Sequence, residues 1–307
     1  MQKMLQEIRD IPGSAFDFLE NSGNYHLPKG VPYLGMGSSY FAPLAFKYMN
    51  KPVLPELASE YYYYHRSGSP SPEGVILSQS GQSSEALWCT RLLDRYTAIT
   101  NHPDSELATS SRAESHIDLR AGKEEFSSSK TYINTLLALF KGLGMDPLGA
   151  VGLMKERMDA YEAKGKEMAE EVHHLISDQE IHGIYITGSG PNIATACEAS
   201  LILSESTKRT FTALPMAQYD HGPKETSAGS IVIQILASGP AYRRTVGLGE
   251  TIRKAGARLL TVEEPGIGEH FSVLHHMVPF NFMAYYLAAL LGISETFVIG
   301  GKVTETE

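Results

Sequence analysis

The sequence predicts an α/β protein: two tandem, doubly wound (flavodoxin-like) parallel sheets with flanking helices. Three observations predict it. Short apolar runs alternate with helical stretches, each run ends in a loop of small residues, and the pattern restarts after a charged helical stretch in mid-chain. Short strands separated by helices are joined by crossover connections and so pair in parallel.

Met4 to Leu19 has helical spacing interrupted at Pro12. Pro32-Tyr33-Leu34 is a strand ending in Gly35-Met36-Gly37-Ser38-Ser39, and a helical run follows through Tyr48. The run Tyr61-Tyr62-Tyr63-Tyr64 reads as a strand with alternating faces, used for packing. Val75-Ile76-Leu77 ends in Ser78-Gln79-Ser80-Gly81-Gln82-Ser83-Ser84, followed by a helix over Glu85 to Leu93. Tyr96-Thr97-Ala98-Ile99 and His116-Ile117-Asp118-Leu119 are further strands, and Ser127-Ser128-Ser129-Lys130 opens another helix.

The charged helical stretch runs from Met154 to Ile176. After it, Ile184-Tyr185-Ile186 ends in Thr187-Gly188-Ser189-Gly190-Pro191, and Val232 to Leu236 ends in Ala237-Ser238-Gly239-Pro240. Leu259-Leu260-Thr261-Val262 repeats Ala98-Ile99-Thr100. Gly188 answers Gly35 and Gly239 answers Gly81, each about 150–160 residues on, which indicates an internal duplication. The expected domains are 1–155, with the N-terminal helix, and 156–307, with the linking helix and the C-terminal tail. The copies differ: the first keeps hydroxyls and an amide in its second loop, so function is expected to concentrate there.

Composition bounds the rest. Hydrophobic residues make up 42% of the 307 and charged residues 20%, ordinary for a soluble globular protein. The net charge of −9 disfavours non-specific nucleic-acid binding. Two cysteines, Cys89 and Cys197, are too few for a disulfide framework and fit a cytoplasmic protein. No apolar run is long enough to span a membrane.

A phosphate monoester is well held by hydroxyls and backbone N–H groups at helix N-termini. Ser-rich segments before helices are also ordinary N-caps. Three of them in one half, two directly after strands, favour a ligand site at the carboxyl ends of the strands. Gly35 to Tyr40 has Tyr where the dinucleotide fingerprint needs its third Gly, and no phosphate-loop or metal-ligand motif is present, so no cofactor and no metal are expected. The pairs His173-His174 and His275-His276 read as surface or packing residues.

These loops resemble the sugar isomerase (SIS) domain, and more closely the isomerase half of glucosamine-6-phosphate synthases with their deaminase and deglycase relatives. The resemblance runs through Met1-Gln2-Lys3, Gly37-Ser38-Ser39-Tyr40, Glu56 to Tyr61, Ser78 to Ser83 and Ser128-Ser129-Lys130. It continues through Glu198, Glu205, His221-Gly222-Pro223 and Lys302 to Thr306. It implies that Gly37, Ser38, Ser39, Ser78, Gln79, Ser80 and Ser83 hold the sugar phosphate and that Ser128 contacts substrate. It implies that Glu205 moves a proton between sugar carbons 1 and 2. It implies that His221 serves ring opening from a neighbouring subunit of a homodimer, and that Lys302 forms a Schiff base with the open-chain sugar. The chain departs from the synthases at Ile202 and Ser204, where they carry lysines, and at Met36, where they carry Cys.

The chemistry asks for the same groups. Aldose–ketose interconversion needs a carboxylate that shuttles a proton beside a carbonyl. Ring opening needs an acid/base near neutral pH, and a lysine can activate a carbonyl as an imine. Glu198 and Glu205, seven apart, share a helical face. The chain begins where a glutaminase domain would end, without an N-terminal nucleophilic Cys, so glutamine-dependent synthesis is not expected. The expected reaction is glucosamine 6-phosphate plus water giving fructose 6-phosphate and ammonia. The alternatives are a fructosamine-6-phosphate deglycase and a non-catalytic sugar-phosphate sensor.

Overall fold

The computed structural model describes residues 2–65 and 71–302. Met1 and the tail positions Val303 to Thr306, parts of the motifs above, lie outside the described residues. In chain order the elements are α1 (Gln2–Arg9), α2 (Ile11–Asn21), β1 (Pro32–Gly35), α3 (Ser38–Tyr48), β2 (Leu54–Leu57) and α4 (Ala58–Tyr64). Then come β3 (Ser71–Leu77), α5 (Ser84–Cys89), β4 (Leu93–Thr100), α6 (Glu106–Thr109), β5 (Ala113–Asp118) and α7 (Lys130–Gly142). The rest are α8 (Leu148–Asp178), β6 (Gly183–Gly188), α9 (Asn192–Thr207), β7 (Thr212–Pro215), α10 (Met216–Asp220), β8 (Ser230–Leu236), α11 (Tyr242–Lys254), β9 (Arg258–Glu263) and α12 (Glu269–Leu290).

The described chain divides into two compact units. One is built from Asp10–Val151 and Phe297–Glu307, the other from Met1–Arg9 and Gly152–Thr296. We call them the serine-loop unit and the α12 unit. Each terminal segment thus belongs with the sequence half it is farther from, and the division falls inside α8.

The serine-loop unit holds a sheet of order β2-β1-β3-β4-β5, parallel at every pairing. Leu34, Ile76 and Ala98 align across three strands and join one buried cluster with Ala58, Ala86 and Cys89. Tyr33 and Val75, which alternate with them, are also fully buried, so both faces of the sheet are covered. α3 packs on α7 through Phe46 and Phe140, whose rings meet edge to face at 4.7 Å.

The tyrosine run is a helix, not a strand: it forms α4. Aromatic residues favour strands locally, but β2 and β3 run parallel to their neighbour β1, and a parallel connection needs a crossover. Tyr62 packs on Trp88 at 5.2 Å and Tyr61 stacks on His65, whereas Tyr63 and Tyr64 are 56% and 76% exposed.

The α12 unit holds a parallel sheet of order β7-β6-β8-β9, the same order as the first four strands of the other sheet. A second observation repeats between them. A Cβ on Gly35 would lie 2.5 Å from the carbonyl oxygen of Ser39, and one on Gly188 would lie 2.1 Å from that of Asn192. In both units the strand ends on a glycine because the helix that follows turns back within contact of it.

α12 is buried on nearly every side over Ser272 to Ala284, and several of its polar residues bond to neighbouring elements. His276 Nε2 accepts from the Glu264 backbone N–H at 3.2 Å. Its proton therefore sits on Nδ1, which donates to Asn192 Oδ1 at 3.0 Å. Asn192 in turn donates to Ser272 Oγ at 2.8 Å. Tyr161 donates to Glu264 Oε2 at 2.9 Å, and His275 Nδ1 lies 2.7 Å from its hydroxyl. His275 and His276 are thus core residues, while His174 is exposed and pairs with Asp178 at 2.8 Å.

Burial pushes the His276 imidazole down to about 3, with the charge of His275 adding to it. An unfolded imidazole titrates near 6.5. Below about pH 6.5 the unfolded chain therefore binds a proton that the folded chain does not. Stability falls as pH drops from there towards about 3, by up to about 1.4 kcal/mol per pH unit. Urea midpoints measured from pH 7 to pH 4 should decline less steeply in His276→Gln than in the parent.

Candidate functional site

The serine loops sit where the strand order reverses. β1 connects outward to β2 on one side, and the chain returns to β3 on the other. The loops after β1 and β3 therefore leave in opposite directions at the carboxyl ends of the strands, the usual ligand position on such sheets. Gly37, Ser38 and Ser39 come from the first loop, and Ser78, Gln79, Ser80 and Ser83 from the second. Adjacency of β1 and β3, through Tyr33↔Val75 and Leu34↔Ile76, brings these two groups together.

The Ser78–Ser83 loop is internally braced. Ser78 Oγ accepts from the Gly81 N–H at 3.1 Å and donates to Ser83 Oγ at 3.2 Å. Ser80 Oγ accepts from the Gln82 N–H at 3.1 Å. The Gln79 carbonyl accepts from the Asn101 N–H at 3.0 Å and from Thr100 Oγ1 at 3.1 Å, which ties the loop to the end of β4. A hydroxyl that accepts keeps its own proton, so Ser80 and Ser83 retain donors for an anion. Gly81 has φ +65°, and a Cβ there would fall 2.1 Å from Ser105 Oγ.

Capping does not account for these serines. The N-cap of α3 is Gly37, with Ser38 and Ser39 already inside the helix, and the N-cap Ser83 of α5 makes no side-chain cap bond. Ser129 precedes α7 and makes none either. Ser105, by contrast, does cap α6, accepting from the Ala108 N–H.

The start of α7 is instead closed by Glu124, a residue that sequence pattern did not single out. Its side chain is fully buried. Oε1 accepts from Ser129 N at 3.0 Å, Ser129 Oγ at 2.9 Å and Thr131 N at 3.2 Å, and Oε2 accepts from Thr131 Oγ1. Ser128 Oγ lies 3.0 Å from Thr131 Oγ1 on the same turn. Lys302 docks here: its ammonium donates to the Glu124 backbone carbonyl at 2.8 Å and to Oε2 at 3.1 Å. Ser128 and Lys302 are thereby brought to one corner of the serine-loop unit. The only sequence signal for Glu124 is an acidic residue shortly before a serine-rich helix start, and spacing alone does not distinguish it from Glu125.

Glu205 and His221 lie in the α12 unit. Glu205 is half-buried near the end of α9, where its carbonyl accepts from Lys208, which also bonds the Thr296 carbonyl. Glu198, one heptad earlier, is fully buried. His221 is exposed and follows α10, its N–H bonded to the Ala217 and Gln218 carbonyls. Cys89 and Cys197 are both free thiols. Burial pushes them up to about 12 and about 11, far from reactive. Among the described residues no group of three or more His, Cys, Asp or Glu side chains is placed to hold a metal ion. Nor is any helix among them long and apolar enough to cross a membrane.

No protein-family model matches the chain. Among curated proteins it is 24% identical to glutamine–fructose-6-phosphate aminotransferase [isomerizing] of Methanothermobacter thermautotrophicus, over 94% of this chain and 55% of that protein. It is 26% identical to the enzyme of the same name from Pyrococcus horikoshii, over 84% and 48%. The chain thus spans about half the length of the curated relatives it matches. Among solved structures, the C-terminal domain of glucosamine-fructose-6-phosphate aminotransferase from Francisella tularensis superposes with TM-score 0.79 at 18% identity, covering 95% of this chain and 97% of that one. Glucosamine-6-phosphate deaminase from Thermotoga maritima gives 0.76 at 19%, covering 95% and 96%. Tagatose-6-phosphate ketose/aldose isomerase from Escherichia coli gives 0.73 at 14%, covering 98% and 97%. The chain is therefore a sequence relative of the glutamine–fructose-6-phosphate aminotransferases, and it has the SIS-type α/β fold of the phosphosugar isomerases.

Proposed function

We propose that this chain is a phosphosugar aldose–ketose isomerase of the deaminating kind, converting glucosamine 6-phosphate and water to fructose 6-phosphate and ammonia. The observation that carries this reading is a lysine amine docked on a buried carboxylate in the unit that also presents the serine loops. A module that only binds sugar phosphate needs the hydroxyls but has no use for an amine delivered from 178 residues away.

The proposed roles are these. Ser38, Ser39, Ser78, Gln79, Ser80 and Ser83, with the close approach permitted at Gly37, hold the phosphate. Ser128 contacts the sugar. His221 opens the ring. Glu205 takes the proton from carbon 2 of the open-chain aldehyde and returns it at carbon 1, leaving an imine on carbon 2. Lys302 exchanges for that nitrogen, expelling ammonia, and water then releases the ketose and restores the amine. The roles of Glu205 and His221 rest on the sequence resemblance. So do the homodimer, with His221 supplied across its interface, and the tandem reading of the chain as two SIS halves, 1–155 and 156–307. A cytoplasmic setting is part of the same proposal.

The test is a panel of substrates given to the purified protein: glucosamine 6-phosphate scored for ammonia, a fructosamine 6-phosphate scored for released amino acid, and fructose 6-phosphate with glutamine scored for amino sugar. Ammonia from the first is the expected result. Amino acid from the second alone would make the protein a deglycase. Tight binding of a sugar phosphate without turnover in any arm would make it a sensor.

A further inference from the structure

We propose that Glu124 is the positioning residue for the Lys302 amine, docking the chain's C-terminal segment onto the first turn of α7. The inference deepens the reading above and rests on the role given there to Lys302.

The geometry separates two tasks of one carboxylate. Oε1 is committed to α7, accepting two backbone N–H groups and the Ser129 hydroxyl. Oε2 is held by Thr131 Oγ1 and is the oxygen turned to Lys302. Four bonds from α7 therefore set the carboxylate before the amine, 178 residues away in sequence, reaches it. Capping alone would need one acceptor and no net charge. A fully buried carboxylate is retained at a desolvation cost that paired donors must offset, and among the described residues Lys302 is the full positive charge paired with it. Other cations nearby are already engaged: Lys130 donates to the Lys123 carbonyl at 3.0 Å, and Lys123 pairs with Glu125.

A long, flexible lysine side chain must be held within about an ångström of its target geometry to be effective in chemistry. Binding both the Glu124 carbonyl and its carboxylate gives Lys302 two fixed acceptors on one residue. Lys302 is thereby held at the corner that also carries Ser128.

Glu124→Gln keeps an acceptor for Ser129 and Thr131 while removing the charge that faces Lys302. Amine labelling of the intact protein, read by mass spectrometry at Lys302, should rise severalfold in Glu124→Gln over the parent. Equal labelling overturns the proposal whether or not any amino sugar phosphate is turned over. A failed substrate panel with raised labelling would sink the proposed reaction and leave the docking in place. Turnover supplies the second readout. Glu124→Gln should lower kcat about 10²-fold with KM little changed, and the double variant with Lys302→Met should be no slower than Lys302→Met alone. Multiplying effects would show that Glu124 does not act through Lys302. Should Glu124→Gln fail to fold, Lys302→Met leaves the α7 cap intact. Hydrogen exchange at Phe297 to Lys302 should then accelerate, and unchanged exchange refutes the docking.

Discussion

Glu205→Gln should lower the release of ammonia from glucosamine 6-phosphate by about 10²–10⁴-fold, the usual contribution of a positioned general base. The amide has nearly the shape of the carboxylate but cannot carry a proton between neighbouring carbons. Glu205 is half-buried on α9, so the substitution leaves the helix and its packing in place. Two measurements separate a lost base from a lost fold. The thermal midpoint should stay within a few degrees of the parent, and affinity for a non-reacting sugar phosphate should be unchanged. A variant with normal ammonia release would remove Glu205 from the mechanism. The same comparison with Glu198→Gln is informative in the opposite sense. Glu198 is fully buried, so its loss should be felt first in stability.

Gly81→Ala should be the most damaging single methyl in the serine-loop unit. The backbone at Gly81 is left-handed, which costs an L-residue roughly 1–2 kcal/mol. The added Cβ would also arrive 2.1 Å from Ser105 Oγ and 2.4 Å from its Cβ. Ser105 cannot yield freely, because its hydroxyl caps α6. Together these predict a loss of about 2–4 kcal/mol, read from the denaturant midpoint. The Gly81 N–H is the donor that fixes Ser78, so protection by inorganic phosphate or a sugar phosphate should be lost as well. A variant that keeps both stability and ligand protection would show that the loop does not need this conformation.

Most of the sheet was legible from local pattern. Runs such as Val75 to Leu77 and Val232 to Leu236 are apolar, short and bounded by small residues, and each lies in a central strand covered on both faces. The strands that pattern missed, β2 and β7, occupy equivalent edge positions in the two sheets. Each is four residues long and contains a proline, Pro55 and Pro215. A proline lacks the N–H that a central strand must donate, so it is tolerated at an edge and there resembles a turn. With β2 and β7 in place, the two sheets share the order 2-1-3-4 over four strands.

The tyrosine run shows the opposite failure. Tyr61 to Tyr64 has strand composition, but the need to cross back to β3 makes it helix, and local propensity yields to topology. His275 and His276 show why adjacency in sequence says little about surroundings. Both are buried on α12: His276 bonds Asn192 and Glu264, 84 and 12 residues away, and His275 bonds Tyr161, 114 residues away.

The small-residue loops, their position after strands and the absence of nucleotide and metal motifs were all local, because turn chemistry and strand period act over a few residues. Which hydroxyls brace the loop and which stay available, and that Ser83 and Ser129 make no side-chain capping bond, depended on the folded chain. So did the pairing of Glu124 with Lys302. An ion pair between residues 178 apart leaves no periodicity to read. It exists because folding buries the Glu124 carboxylate within reach of the Lys302 amine.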